Sequence, residues 1–166
     1  KSNASIHKFS CPFNVFTFTE KKKIITCTGG LSVKSDFTLN DCPKLDILIV
    51  PGGIGTRKLL KNNNILNWLV ANKDINIIAS VCTGSLILAK AGLLANKKAT
   101  SHWGALELLK KLSPSTRILT SKKFVFDTYY TSAGVSAGIN MSLHIIEKLL
   151  GKKIAQNTAK YIEYDY

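Results

Sequence analysis

Cys82 stands in Ser80-Val81-Cys82-Thr83-Gly84, with one small residue two positions before it and another two positions after it. This run joins a β-branched stretch (75–81) to an apolar stretch with helical spacing (85–89). A strand-to-helix junction flanked by small residues is the pattern of a nucleophile elbow, whose tight turn lifts one side chain above the sheet. A cysteine placed there is a nucleophile, and the amides at a helix start favour its thiolate. The amide of Thr83 and those of Gly52 and Gly53, in Pro51-Gly52-Gly53, could converge as donors to a developing oxyanion. The competing fate of a free cysteine is burial as a small apolar residue. The setting favours chemistry at Cys82 and structural roles for Cys11, Cys27 and Cys42.

A nucleophile needs a proton partner. His102, in Ser101-His102-Trp103, opens the next helical stretch and could approach the same strand ends. Two roles stay open for it, a hydrogen-bonded neighbour or a proton-transfer group. His144 falls inside a helical stretch as a packed or surface residue, and His7 lies in an irregular N-terminus. Neither the cysteines nor the histidines have metal-ligand spacing, so no metal or other cofactor is expected.

The elements that must position these groups alternate. Residues 45–50 and 75–81 read as buried strands, 59–69 as a helix between them, and 85–89 as a helix ending near Gly92. Residues 102–112 read as an amphipathic helix, 116–120, 123–126 and 129–132 as short strands, and 137–150 and 154–161 as helices separated by Gly151. Strands alternating with helices predict a parallel sheet covered on both faces, with ligands at the C-terminal strand ends. Upstream, 23–27 reads as a strand, 31–39 as a short extended excursion and 12–16 as a helix start. No strong apolar strand precedes them, although such sheets usually begin with a central one.

The chain has 166 residues, 45% of them hydrophobic, which suits one domain with a substantial core. No apolar run approaches the roughly 20 residues of a membrane-spanning helix. The formal charge of +13 invites a nucleic-acid partner. Yet Arg57 and Arg117 are the only arginines, and arginine is the residue best suited to bidentate phosphate and guanine contacts. The lysines come as scattered short runs, consistent with a solvated surface rather than a nucleic-acid face. No apolar signal segment opens the sequence, and a reduced, cytoplasmic protein is the simplest expectation.

Residues 45–56, from Leu45 through Pro51-Gly52-Gly53 to Thr56, resemble the first signature of the ThiJ/PfpI superfamily, relatives of class I glutamine amidotransferase domains. Ser80-Val81-Cys82-Thr83-Gly84-Ser85, Ala91-Gly92-Leu93-Leu94, Ala99-Thr100-Ser101-His102-Trp103, the run 131–139 and the closing 161–165 add to the likeness. Together they resemble the isonitrile hydratase branch and the sensor domains of AraC-type regulators that share it. The resemblance implies one flavodoxin-like domain over residues 1–166, a three-layer α/β sandwich with a mostly parallel sheet; against that pattern, 1–11 read as irregular or truncated and the N-terminal central strand as missing or atypical. It also implies a homodimer acting on a small-molecule substrate or ligand, with Cys82 reactive, Thr83 assisting beside it, and Gly52, Gly53 and His102 around the pocket.

In the hydratase branch a thiolate attacks the isonitrile carbon and water completes an N-substituted formamide. The protease branch places a His directly after its Cys, and Thr83 at that position argues against peptidase activity. The branch carries an acid just before its first helix; counting back from Pro12 places Lys8 there, and Asn14 replaces the helix Glu. Two functions follow as expectations: a Cys82-dependent hydratase or hydrolase of a small electrophile, or a ligand- or thiol-sensing domain. The sequence ends at Tyr166 without a helix-turn-helix, so the second would be a detached sensor.

Overall fold

The computed structural model describes residues 11–21 and 24–166, which fall into two compact units, Lys1–Pro43 and Lys44–Tyr166. In the first unit, Phe18–Thr19 (β1) pairs in parallel with Phe37–Thr38 (β4). Ile24–Thr26 (β2) pairs antiparallel with Ser32–Lys34 (β3), across a turn in which the Cys27 amide donates to the Leu31 carbonyl at 2.8 Å. The extended reading of these segments therefore holds.

The helix start expected at 12–16 does not form. Phe13, Val15 and Phe16 are aromatic and β-branched residues that suit extended chain. The Phe16 ring packs edge-on against Phe37, with centroids 5.1 Å apart. Asp36 Oδ2 accepts from both the Thr17 amide (2.7 Å) and the Thr17 hydroxyl (3.1 Å). These bonds hold the Asp36 carboxyl below its ordinary range.

The second unit contains Ile47–Val50 (β5), Thr56–Leu59 (α1), Asn63–Ala71 (α2), Ile77–Ser80 (β6) and Gly84–Lys90 (α3). There follow Lys98–Ala99 (β7), a 3₁₀ turn at Trp103–Ala105, Leu106–Leu112 (α4), Arg117–Ile118 (β8), Phe124–Phe126 (β9) and Tyr130–Ser132 (β10). Ala137–Leu150 (α5) and Lys152–Tyr161 (α6) close the chain. The main sheet has the order β5-β6-β10-β9, parallel except between β10 and β9. This is the mostly parallel, flavodoxin-like α/β arrangement expected. β7 pairs with β8 in a separate parallel ladder.

Local chemistry explains the element boundaries. Asn62 caps α2, its side-chain oxygen accepting from the amides of Asn64 (3.1 Å) and Ile65 (3.3 Å). The 59–69 helix expected from sequence divides at this cap into α1 and α2. Met141 and Ile145 of α5 pack on Ala79 of β6 and Tyr130 of β10 as one buried cluster. Ile78, Leu86, Leu88, Leu94, Leu109 and Leu143 are the large fully buried aliphatic residues among those described. Burial of each such side chain contributes about 1.5–3 kcal/mol. Among the described residues no helix is long and apolar enough to cross a membrane.

Candidate active site

β5 and β6 run in register from Ile47 opposite Ile77 to Val50 opposite Ser80, so both end at the same level. Immediately beyond them lie Pro51-Gly52-Gly53 and Val81-Cys82-Thr83. The Val81 amide still donates to the Val50 carbonyl at 3.0 Å, and the chain then turns sharply. Cys82 takes a φ of 56°, left-handed backbone that residues with a Cβ adopt at a cost. Nucleophile elbows are built on that strained turn.

Hydrogen bonds at both ends of the residue hold it. The Cys82 amide donates to the carbonyls of Ser132 and Ala133, both at 3.2 Å. The Cys82 carbonyl accepts from the hydroxyl of Ser85 (3.1 Å) and the hydroxyl of Ser101 (3.0 Å). Gly84 is required because the helix it starts lies on the end of β5, where a Cβ would run into the carbonyl of Val50. The thiol itself is half-buried.

The two glycines of the β5 loop separate in role. A Cβ on Gly52 would stand 2.8 Å from Cys82 Cβ and 3.0 Å from the Thr83 nitrogen, so only glycine permits this approach. Gly53 instead exchanges two hydrogen bonds with Thr83. Its amide donates to Thr83 Oγ1 at 2.9 Å, and Thr83 Oγ1 donates back to its carbonyl at 3.1 Å. The Gly53 amide is thereby occupied, while those of Gly52 and Thr83 have no protein acceptor among the described residues. The possible donor set narrows from three amides to two. Thr83 ties the loop to the elbow.

His102 makes its hydrogen bond within its own segment, and no hydrogen bond joins it to Cys82 among the described residues. The Thr100 amide donates to Thr131 Oγ1 at 2.9 Å and anchors the segment. His102 Nδ1 then accepts from the Gly104 amide at 3.2 Å, capping the 3₁₀ turn. With Nδ1 an acceptor, a neutral imidazole carries its proton on Nε2. The ring lies against Gly134, where a Cβ would stand 3.1 Å from Cδ2. An open groove of about 680 Å³ continues from there, lined by His102, Trp103, Lys122, Lys123, Gly134 and Val135 among others.

The remaining candidates lie elsewhere. His144 is half-buried, between the rings of Phe124 and Tyr130. Cys11 and Cys27 are exposed. Burial, with the Asp41 charge beside it, pushes the Cys42 thiol up. Lys8 and His7 fall outside the described residues. No group of three or more metal-ligating side chains occurs among the described residues.

Sequence reasoning did not find Ser85, Ser101 or the carbonyls of Ser132 and Ala133. A serine three residues after Cys82, bonding back to its carbonyl, is a recognisable helix-start motif. Ser101 reaches the same oxygen through tertiary structure, which leaves no local signal.

The DJ-1/PfpI family model matches residues 8–148. Isonitrile hydratase from Pseudomonas putida is 37% identical over 142 residues, covering 84% of this chain and 61% of that protein. The HTH-type transcriptional regulator GbdR from Pseudomonas aeruginosa is 26% identical, covering 85% of this chain and 38% of the regulator. The chain thus spans about three fifths and two fifths of these relatives. A crystal structure of a ThiJ/PfpI family protein from Pseudomonas syringae superposes with a TM-score of 0.84 at 31% identity, covering 92% of this chain and 64% of that one.

Proposed function

Because this chain belongs to the DJ-1/PfpI family, we propose that Cys82 is a nucleophile acting on a small electrophilic carbon, in a hydratase or hydrolase of the isonitrile hydratase kind. The observation that carries this is the left-handed turn at Cys82. Such strain persists only where surrounding structure enforces it, and here four hydrogen bonds do so. The amides of Thr83 and Gly52 have no protein acceptor among the described residues. Thr83 holds the Gly53 loop against the elbow. His102 lines the groove with Nδ1 already accepting from the Gly104 amide. The protein works on a small molecule in the cytoplasm, as a homodimer, and without a metal.

For an isonitrile the atoms balance as follows. The thiolate sulfur bonds to the terminal carbon, and that carbon takes a proton to give a thioimidate. Water adds to the same carbon, the C–S bond breaks to restore the thiolate, and an N-substituted formamide leaves. The carbon must be protonated in the first half of this sequence. Lys8 occupies the sequence position where the branch carries its acid, so isonitrile turnover is slow. The deciding experiment follows formamide production from an alkyl isonitrile by mass spectrometry, for the protein and for Cys82→Ala. Product formation at equal rates with and without the thiol would end the proposal.

A second reading is a ligand-sensing domain. Its support is the regulator GbdR, matched over 85% of this chain although that is only 38% of the regulator. Saturable ligand binding that survives Cys82→Ala, with no turnover, is the outcome that selects it.

A further inference from the structure

We propose that Ser101, together with Ser85, is a positioning residue that aims and strengthens the Thr83 amide as the oxyanion donor of Cys82. This rests on the reading of Cys82 as nucleophile. The Cys82 carbonyl and the Thr83 amide belong to one peptide unit. In a planar trans peptide, C=O and N–H point in opposite directions. Whatever fixes the carbonyl therefore fixes the amide.

Two hydroxyls fix it, from two different parts of the chain. Ser85 Oγ donates to the Cys82 carbonyl at 3.1 Å from the first turn of α3. Ser101 Oγ donates at 3.0 Å from the segment after β7. Ser85 is fully buried and Ser101 is 2% exposed, so bulk water does not compete for that oxygen. The Thr83 amide is turned away from both hydroxyls. It has no acceptor among the described residues, and the missing side chain of Gly52 leaves its approach open. Hydrogen bonds accepted by a carbonyl also polarise the N–H of the same peptide and make it a better donor. Both effects count only when negative charge develops on an oxygen facing Thr83.

The proposal is tested with two reagents on the same thiol. With p-nitrophenyl acetate the Cys82 sulfur adds to the ester carbonyl. The tetrahedral oxyanion collapses, p-nitrophenolate leaves and an acetyl thioester remains. With iodoacetamide the sulfur displaces iodide at a saturated carbon, and no oxyanion forms. Ser101→Ala is expected to slow the p-nitrophenolate burst about tenfold while changing Cys82 carbamidomethylation by less than about twofold. Ser101→Thr, which keeps the hydroxyl, should restore the burst. Ser85→Ala carries the same expectation should Ser101→Ala fail to fold.

Ser113→Ala provides the matched control. Its hydroxyl accepts from Thr116 Oγ1 at 2.7 Å in another buried pair, so its loss weakens the fold away from the elbow. The ratio of the two Cys82 rates should stay at its wild-type value in that variant. Parallel loss of both rates in Ser101→Ala, or loss of neither, overturns the proposal. A burst that persists in Cys82→Ala refutes the nucleophile itself, which is a separate outcome.

Discussion

Gly52 and Cys82 approach so closely that a Cβ added to Gly52 would stand 2.8 Å from the Cβ of Cys82. Two sequence-distant turns, one after β5 and one after β6, are thus locked together by the absence of a side chain. Gly52→Ala should force them apart, costing about 1–3 kcal/mol as overpacking does. It should also slow thioester formation at Cys82, because the Thr83 amide lies 3.0 Å from the same Cβ position. Urea unfolding and the ester burst, measured on one preparation, check both. An alanine variant with wild-type stability and burst rate would show that the turns do not touch in solution.

The strain at Cys82 gives a stability prediction with an unusual sign. At φ 56°, glycine is favoured over alanine by about 1 kcal/mol, whereas glycine in ordinary helix or strand is the worse residue. Cys82→Gly should therefore melt about 2–4 °C above Cys82→Ala. Calorimetry on the two variants decides this. Equal melting temperatures, or a lower one for glycine, would mean that the elbow relaxes in solution.

Much of this site is legible in the sequence, for identifiable reasons. β-branched runs ending at Pro51 and Cys82 mark two strands, and small residues around Cys82 mark the turn between strand and helix; β6 is buried as expected, whereas β5 is buried on one face only and leaves Ile49 52% exposed. α5 runs over 137–150, as its apolar spacing and Gly151 indicate. Short elements are different. β7 contains only Lys98 and Ala99, too few residues for any periodicity, and it exists because it pairs with β8. The 12–16 segment has a proline and apolar residues suggestive of a helix start, but Phe16 finds Phe37 and Thr17 finds Asp36. The occupation of the Gly53 amide by Thr83 and the reach of Ser101 to Cys82 are tertiary contacts. No spacing rule encodes them.

Asp127 supplies a pH-dependent test of the β7 connection. Its Oδ2 accepts from the Lys98 amide at 2.9 Å. That bond, helped by the charges of Lys97 and Lys98, holds its carboxyl below the ordinary carboxylate range. A depressed native value means the carboxylate stabilises the fold above its unfolded titration range, and this is lost as pH falls through the native value. The side chain is near the surface, so the effect is a fraction of about 1 kcal/mol. Asp127→Asn should lower the urea midpoint slightly at about pH 7, and the difference should vanish in strong acid. A difference that grows on acidification contradicts the assignment.

The order in which the four cysteines react separates activation from mere access. Cys11 and Cys27 are exposed, so accessibility alone would label them first. Cys42 is disfavoured, since burial and Asp41 both oppose its thiolate. Cys82 is only half-buried, but it is the one cysteine lifted onto a left-handed turn between a strand end and a helix start. If it is the nucleophile, its environment must outweigh its lesser exposure. Under limiting iodoacetamide, the peptide containing Cys82 should therefore carry the first label, followed by those of Cys11 and Cys27, with Cys42 last. Peptide mapping by mass spectrometry reads the order directly, and first labelling of Cys11 or Cys27 would leave Cys82 with the geometry of an elbow but not its chemistry.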